Sequence, residues 1–276
     1  MADAELATPR RGAAANLNTV ASAWYSHPMP SILIPIPSRG FDPSETGIPW
    51  RTLTQAGHEI TFATPDAKPG QADPRMVTGQ DLSVLAPILR ADANGRAAYT
   101  EMAASAEFTA PITYADINPD AYEALILAGG HAKPMRPYLE SPQLQRVTAA
   151  FFAAGKPVGA ICHGVVLAAR SRRPDNRSVL HGRKTTALLH SHEMLAYTLT
   201  RLWLADYYRT YPQTVQEEVT AALASPADFI RGPASVTRDS PANPNGFAVV
   251  DGTYVSARWP GDAHRFSAEM LRLLAA

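Results

Sequence analysis

Val158-Gly159-Ala160-Ile161-Cys162-His163-Gly164-Val165-Val166-Leu167-Ala168-Ala169-Arg170 is the stretch on which the fold turns. Val158 to Ile161 is a short apolar run of the kind that makes a strand buried on both faces. Val165 to Arg170 reads as the helix that follows it. Ala160 and Gly164 stand two residues before and two after Cys162, and a sharp strand-to-helix turn crowds those positions, so small residues there suit a nucleophile elbow. The helix N-terminus beneath the sulfur is expected to favour thiolate and to lower the thiol pKa. The alternative is that Cys162 is only a small buried hydrophobe.

Working outward, Ser31-Ile32-Leu33-Ile34-Pro35-Ile36 reads as a buried strand, although Pro35 removes a ladder donor. Asp42-Pro43-Ser44-Glu45 reads as a helix start, with Asp42 as N-cap, Pro43 as first helical residue and Glu45 closing a capping box. Gly57 ends that helix, and Glu59 to Ala63 is the next strand. Strand, helix and strand in so few residues make a βαβ unit and favour a parallel sheet. Residues 66–115 interrupt the rhythm and read as an insertion covering one end of the sheet. Ala124 to Leu127 is a third strand, running into Gly129-Gly130-His131. Ser141-Pro142 opens a helix with Leu144, Val147 and Phe151 on one face, ended by Gly155.

Thr185 to Leu189 is a fifth strand candidate, and residues 193–224 read as mostly helical with a break near Tyr211-Pro212. Asp251-Gly252 between Phe247–Val250 and Thr253–Ala257 signals a hairpin. Phe266, Met270, Leu273 and Leu274 share one face of a last helix. The expected architecture is α/β, with a mostly parallel sheet, helices on both sides, the insertion and a C-terminal hairpin. Residues 1–30 read as a flexible tail, and 31–276 as one domain.

Composition excludes several function classes. The 276 residues carry 25 Lys plus Arg against 25 Asp plus Glu, which argues against an extended nucleic-acid footprint and against a polybasic membrane anchor. No run approaches the ~20 apolar residues of a membrane span. The N-terminus does not read as a secretory signal, so a cytoplasmic protein is expected. With one cysteine, neither an internal disulfide nor a multi-cysteine metal site is available.

The other candidate site residues are those expected to gather around Cys162. His163 is placed to pair with the thiolate or act as general base. Gly129 and Gly130 are positioned to offer backbone N–H groups to an oxyanion, or simply to make a tight turn. Glu45 has two readings: the capping box, or a desolvated carboxylic acid facing Cys162 that donates a hydrogen bond or shuttles a proton. Glu193 is a candidate to orient His163 as third member of a triad, with Asp262 as its rival. His190-Ser191-His192-Glu193 is not a recognised metal-ligand spacing, and no metal or other cofactor is expected.

Gly40-Phe41-Asp42-Pro43-Ser44-Glu45, Ala56-Gly57-His58, Phe62-Ala63-Thr64-Pro65, Leu127-Ala128-Gly129-Gly130-His131 and Ala160-Ile161-Cys162-His163-Gly164 occur in the order seen in the ThiJ/PfpI family of the class I glutamine amidotransferase-like superfamily, which this chain resembles. The insertion at 66–115 looks like that of the larger heat-shock and glyoxalase III-like members. The resemblance implies a flavodoxin-like three-layer sandwich, a homodimer, a reactive Cys162, a partner Glu45 and a basic neighbour in His163. It implies a small-molecule substrate without fixing the reaction. The first expectation is a cofactor-independent, glyoxalase III-like lyase converting methylglyoxal to lactate. The alternatives are isonitrile hydratase or amidase and peptidase chemistry at the same thiol, and a stress-response chaperone or redox sensor.

Overall fold

The computed structural model describes residues 31–234 and 236–276; the expected tail over residues 1–30 lies outside them. Nine strands occur among these residues: β1 Ser31–Pro35, β2 Arg39–Phe41, β3 Glu59–Thr64, β4 Gln71–Ala72, β5 Ile112–Thr113, β6 Ala124–Leu127, β7 Val158–Ile161, β8 Ala248–Asp251 and β9 Tyr254–Ala257. The α-helices are α1 Pro43–Gln55, α2 Pro74–Thr78, α3 Ala86–Leu89, α4 Ala93–Ala103, α5 Ala106–Thr109, α6 Arg136–Leu139, α7 Pro142–Ala153, α8 Gly164–Arg170, α9 His190–Leu204, α10 Val215–Ala222 and α11 Ala263–Leu274.

Seven strands form one sheet in the order β5-β3-β1-β6-β7-β9-β8, and β2 pairs with β4 in a small separate ribbon. All pairings in the main sheet are parallel except that of the β8–β9 hairpin. The central strands are apolar on both faces, as a sheet covered on both sides requires: Ile32, Leu33, Ile34, Leu125, Ile126, Leu127 and Val158 are fully buried. Helices α1, α4 and α11 pack together as one layer and α6, α7, α8 and α10 as the other. The architecture is the expected three-layer α/β sandwich. Pro35 is tolerated because it is the last residue of β1.

The chain leaves β1 toward β3 and β5 on one side, then returns through β6 to β7 on the other. Strand order therefore reverses between β1 and β6, and the crevice outside the carboxyl ends of such strands is where ligands bind in open α/β sheets. Glu45 at the start of α1, Gly130 after β6 and Cys162 after β7 line that crevice.

Two local expectations are corrected. Thr185 to Leu189 is not a strand; Thr185 makes only an isolated bridge to Phe229. The position beside β7 belongs to β9, and the 185–189 segment is tied down instead by Thr185 N–H to Asp228 O and Thr186 N–H to Ser256 Oγ. The capping box at α1 is half made. Asp42 Oδ1 accepts from the N–H groups of Ser44 and Glu45, at 2.8 and 3.1 Å, but the Glu45 carboxyl does not turn back to the cap.

Gly164 shows how tightly the β7–α8 turn is set. A Cβ there would lie 2.1 Å from the Leu127 carbonyl oxygen, inside any tolerable contact with backbone. Gly164→Ala is expected to cost about 3 kcal/mol, the upper end for overpacking a core site. Urea unfolding of the variant measures it.

Candidate active site

Cys162 sits between β7 and α8 with φ of +56°, a left-handed conformation rare for a residue with a side chain. Such strain persists only where the surroundings impose it, and here it presents the sulfur at the end of the strand. The thiol is buried, lines the floor of the crevice and receives the backbone N–H of His163.

His163 is fully buried, with Nδ1 3.4 Å from Cys162 Sγ. Its other nitrogen, Nε2, lies 2.9 Å from Thr210 Oγ1. That hydroxyl also contacts the carbonyl oxygen of His131, which can only accept a hydrogen bond. The Thr210 proton is thereby committed to His131, so its oxygen must accept from His163. His163 carries its proton on Nε2, and the bare Nδ1 faces the thiol. Arg136 clamps the loop, donating from Nε to the Thr210 carbonyl at 2.7 Å. Burial, with further contributions from His131 and Arg170, pushes the His163 pKa down to about 3, so the ring is a neutral base.

Glu45 is fully buried in the first turn of α1. Among the described residues its carboxyl has no nitrogen or oxygen partner; it lies against the Cys162 thiol, to which it is electrostatically coupled. Burial and the neighbouring Asp42 hold its pKa well above the carboxylate range. The thiol is also pushed up, by burial first and then by Glu45. The expected lowering by the helix end is therefore overridden: desolvation of a buried charge outweighs a short helix. Both groups are thereby held toward their protonated forms.

Gly129 and Gly130 divide their work. A Cβ on Gly129 would meet Glu45 Oε2 at 2.3 Å and Cys162 Cβ at 2.8 Å, so this residue lets the acid approach the thiol. Gly130 lines the crevice itself. Neither candidate for orienting His163 does so, because Thr210 occupies Nε2. Glu193 on α9 accepts from the Val215 N–H at 3.0 Å and lies 3.8 Å from Arg209 Nε; burial raises its pKa to about 7. Asp262 forms a buried pair with Arg258, Oδ2 to Nε at 2.8 Å and Oδ1 to Nη2 at 2.9 Å. In His190-Ser191-His192-Glu193 the side chains take separate partners: His190 approaches Glu217 at 3.6 Å, and His192 packs edge-on to Trp259.

Thr210 is the residue that sequence reasoning missed. It lies in the loop between α9 and α10, 47 positions from His163, and the only local signal was the helix break near Tyr211-Pro212. Thr210→Val is expected to free the imidazole tautomer and lower kcat by roughly 10- to 100-fold with KM little changed. Thr210→Ser keeps the hydroxyl and should restore the rate, an outcome that a purely steric role for the residue would not give.

A strained cysteine after β7, a buried acid at the start of the helix after β1 and a glycine pair after β6 are the arrangement anticipated from the motifs, and the family comparison decides the kinship. The model of the ThiJ/PfpI family-like proteins matches residues 36–226. The chain belongs to this family. Among its relatives, Deglycase PfpI of Pyrococcus furiosus is 27% identical over 163 residues, covering 59% of this chain and 69% of that protein. The protein named "Probable glutathione-independent glyoxalase hsp3103" of Schizosaccharomyces pombe is 27% identical over 58% of this chain and 56% of its own length. The crystal structure of glyoxalase III from Candida albicans superposes with a TM-score of 0.64 at 18% identity, covering 89% of this chain and 98% of that one. That likeness shows the ThiJ/PfpI fold, and the named relatives support an enzymatic activity for this member. Among the described residues no helix is long and apolar enough to cross a membrane.

Proposed function

We propose that this ThiJ/PfpI-family chain is a cysteine-dependent, cofactor-independent enzyme acting on a small reactive carbonyl, with methylglyoxal to lactate as the reference reaction. The observation that carries the reading is the buried thiol set between two proton carriers, with His163 Nδ1 3.4 Å from the sulfur and the Glu45 carboxyl against it.

Sγ adds to the aldehyde carbon as His163 Nδ1 takes the thiol proton and Glu45 protonates the carbonyl oxygen, giving a hemithioacetal. Glu45, now ionised, removes the proton from that carbon, while the imidazolium protonates the neighbouring ketone oxygen; the product is an enediol. Glu45 then returns its proton to the second carbon as His163 takes the first hydroxyl proton, which leaves a thioester. Water attacks the thioester as the Glu45 carboxylate takes its proton, the C–S bond breaks, the His163 imidazolium returns its proton to the sulfur and the hydroxy acid leaves. One water is consumed and no electrons leave the substrate, so a thiol and two proton carriers suffice. Gly130 and the N–H of His163 are the donors proposed for the oxyanion.

The reading is supported by relatives named for glyoxalase and deglycase activity. Its test is lactate formation from methylglyoxal by purified protein without glutathione. Turnover above the uncatalysed rate is expected. If only isonitriles or amides are turned over, the same thiol performs nitrogen chemistry and the aldehyde reading is wrong.

A further inference from the structure

The crevice above Cys162 is more apolar than addition to an aldehyde requires. It encloses about 220 Å³ and is walled by Met76, Leu89, Leu188, Leu195, Leu199 and Trp259, with Cys162 and Glu45 at its floor. An apolar cavity of about 150 Å³ is enough to hold a benzene ring. Methylglyoxal, with a single methyl beyond its reacting carbonyls, would leave most of this wall uncovered.

The wall is assembled from distant parts of the chain. Met76 and Leu89 come from α2 and α3 in the insertion, and Trp259 follows β9. Leu195 and Leu199, one helical turn apart, point the same face of α9 at the cavity. These two leucines are 51% and 44% exposed, a poor use of apolar surface unless something covers it. Three charged groups of the lining are already engaged. Asp42 caps α1, Glu193 accepts from Val215, and Arg238 lies 5.2 Å over the Trp259 ring and donates to the Arg90 carbonyl at 3.2 Å. His131 is stacked on Tyr208 at 4.4 Å. The walls thus favour an apolar arm over a sugar or a phosphate.

We infer that the electrophile attacked by Cys162 carries an apolar arm about the size of an aromatic ring, which makes an aryl or branched-alkyl 2-oxoaldehyde a better substrate than methylglyoxal. The inference rests on the reading of Cys162 as nucleophile and leaves the bond changes of the reaction as written above.

Two measurements test it together. The first is kcat/KM across glyoxal, methylglyoxal, longer alkyl homologues and phenylglyoxal. Each buried methylene is expected to raise it about fourfold, and phenylglyoxal should exceed methylglyoxal by roughly 100-fold. The second needs no turnover: the rate at which iodoacetamide and its N-benzyl derivative label Cys162, with the benzyl reagent expected to be faster by at least about tenfold. Leu195→Asp and Leu199→Asp, at half-exposed helical positions that tolerate charge, should remove most of both preferences. Leu202→Asp, at a site 90% exposed and outside the cavity wall, should keep them. Turnover of methylglyoxal with no gain for larger aldehydes overturns the apolar arm and leaves the glyoxalase reading standing. Labelling indifferent to apolar size also overturns it. If no aldehyde is turned over but labelling still rises with apolar size, the aldehyde reading falls and the apolar arm is supported.

Discussion

Cys162→Ala is expected to stay folded and to lose at least about 10⁴-fold in kcat/KM. The substitution removes one sulfur from a buried site and leaves the backbone as strained as before, since alanine also carries a Cβ at φ of +56°. The stability change should be about 1 kcal/mol, within the ordinary range for a small core truncation. The chemistry has no substitute, because the N–H of His163, the base at Nδ1 and the acid at Glu45 all converge on that one atom. Thermal unfolding and lactate release on the same preparation separate the two effects. A variant that keeps turnover within tenfold of wild type would show that the thiol is not the nucleophile.

Glu45→Gln should make the thiol easier to ionise while slowing turnover by roughly 10³-fold. The sign follows from the causes of the thiol's raised pKa. Burial comes first and persists in the variant, but the charge of the Glu45 carboxylate, which opposes the thiolate once the acid has lost its proton, is gone, so Cys162 titrates at a lower pH. At pH 8 more of it is thiolate, and alkylation by iodoacetamide should be faster than in wild type. Glutamine cannot take or give the proton that moves between adjacent carbons, so lactate formation collapses. The pH dependence of alkylation, followed by mass spectrometry, reads the first effect. A thiol that titrates higher in the variant would overturn this, showing that the carboxyl acts on the thiolate only as a hydrogen-bond donor.

The stretch from Val158 to Arg170 was legible because each of its constraints is local. Val158–Ile161 must be apolar to sit inside a covered sheet, and Gly164 must lack a side chain to pass the Leu127 carbonyl. Asp42 and Pro43 likewise mark the start of α1 by capping chemistry that acts within one turn. Glu45 was legible as a position but not as a role, since a capping box and a catalytic acid use the same residue at the same spacing. Thr210 was not legible, because its bond to His163 joins a loop to a turn 47 residues away. The thiol pKa was misjudged for a related reason: a helix end is read from sequence, whereas the depth at which Cys162 and Glu45 are buried depends on the whole assembly. The strand expected at Thr185 to Leu189 failed because β9, contributed from much later in the chain, takes the place beside β7. The apolar wall escaped notice because Leu195 and Leu199 show the same spacing on α9 as any face turned toward a core.

The most direct measurement is rapid-quench mass spectrometry of the protein mixed with methylglyoxal in the absence of glutathione. The account predicts one adduct per chain, localised to the peptide carrying Cys162, forming before lactate appears and decaying as lactate is released. Lactate formed with no adduct on that cysteine, or at the same rate in Cys162→Ala, would contradict it.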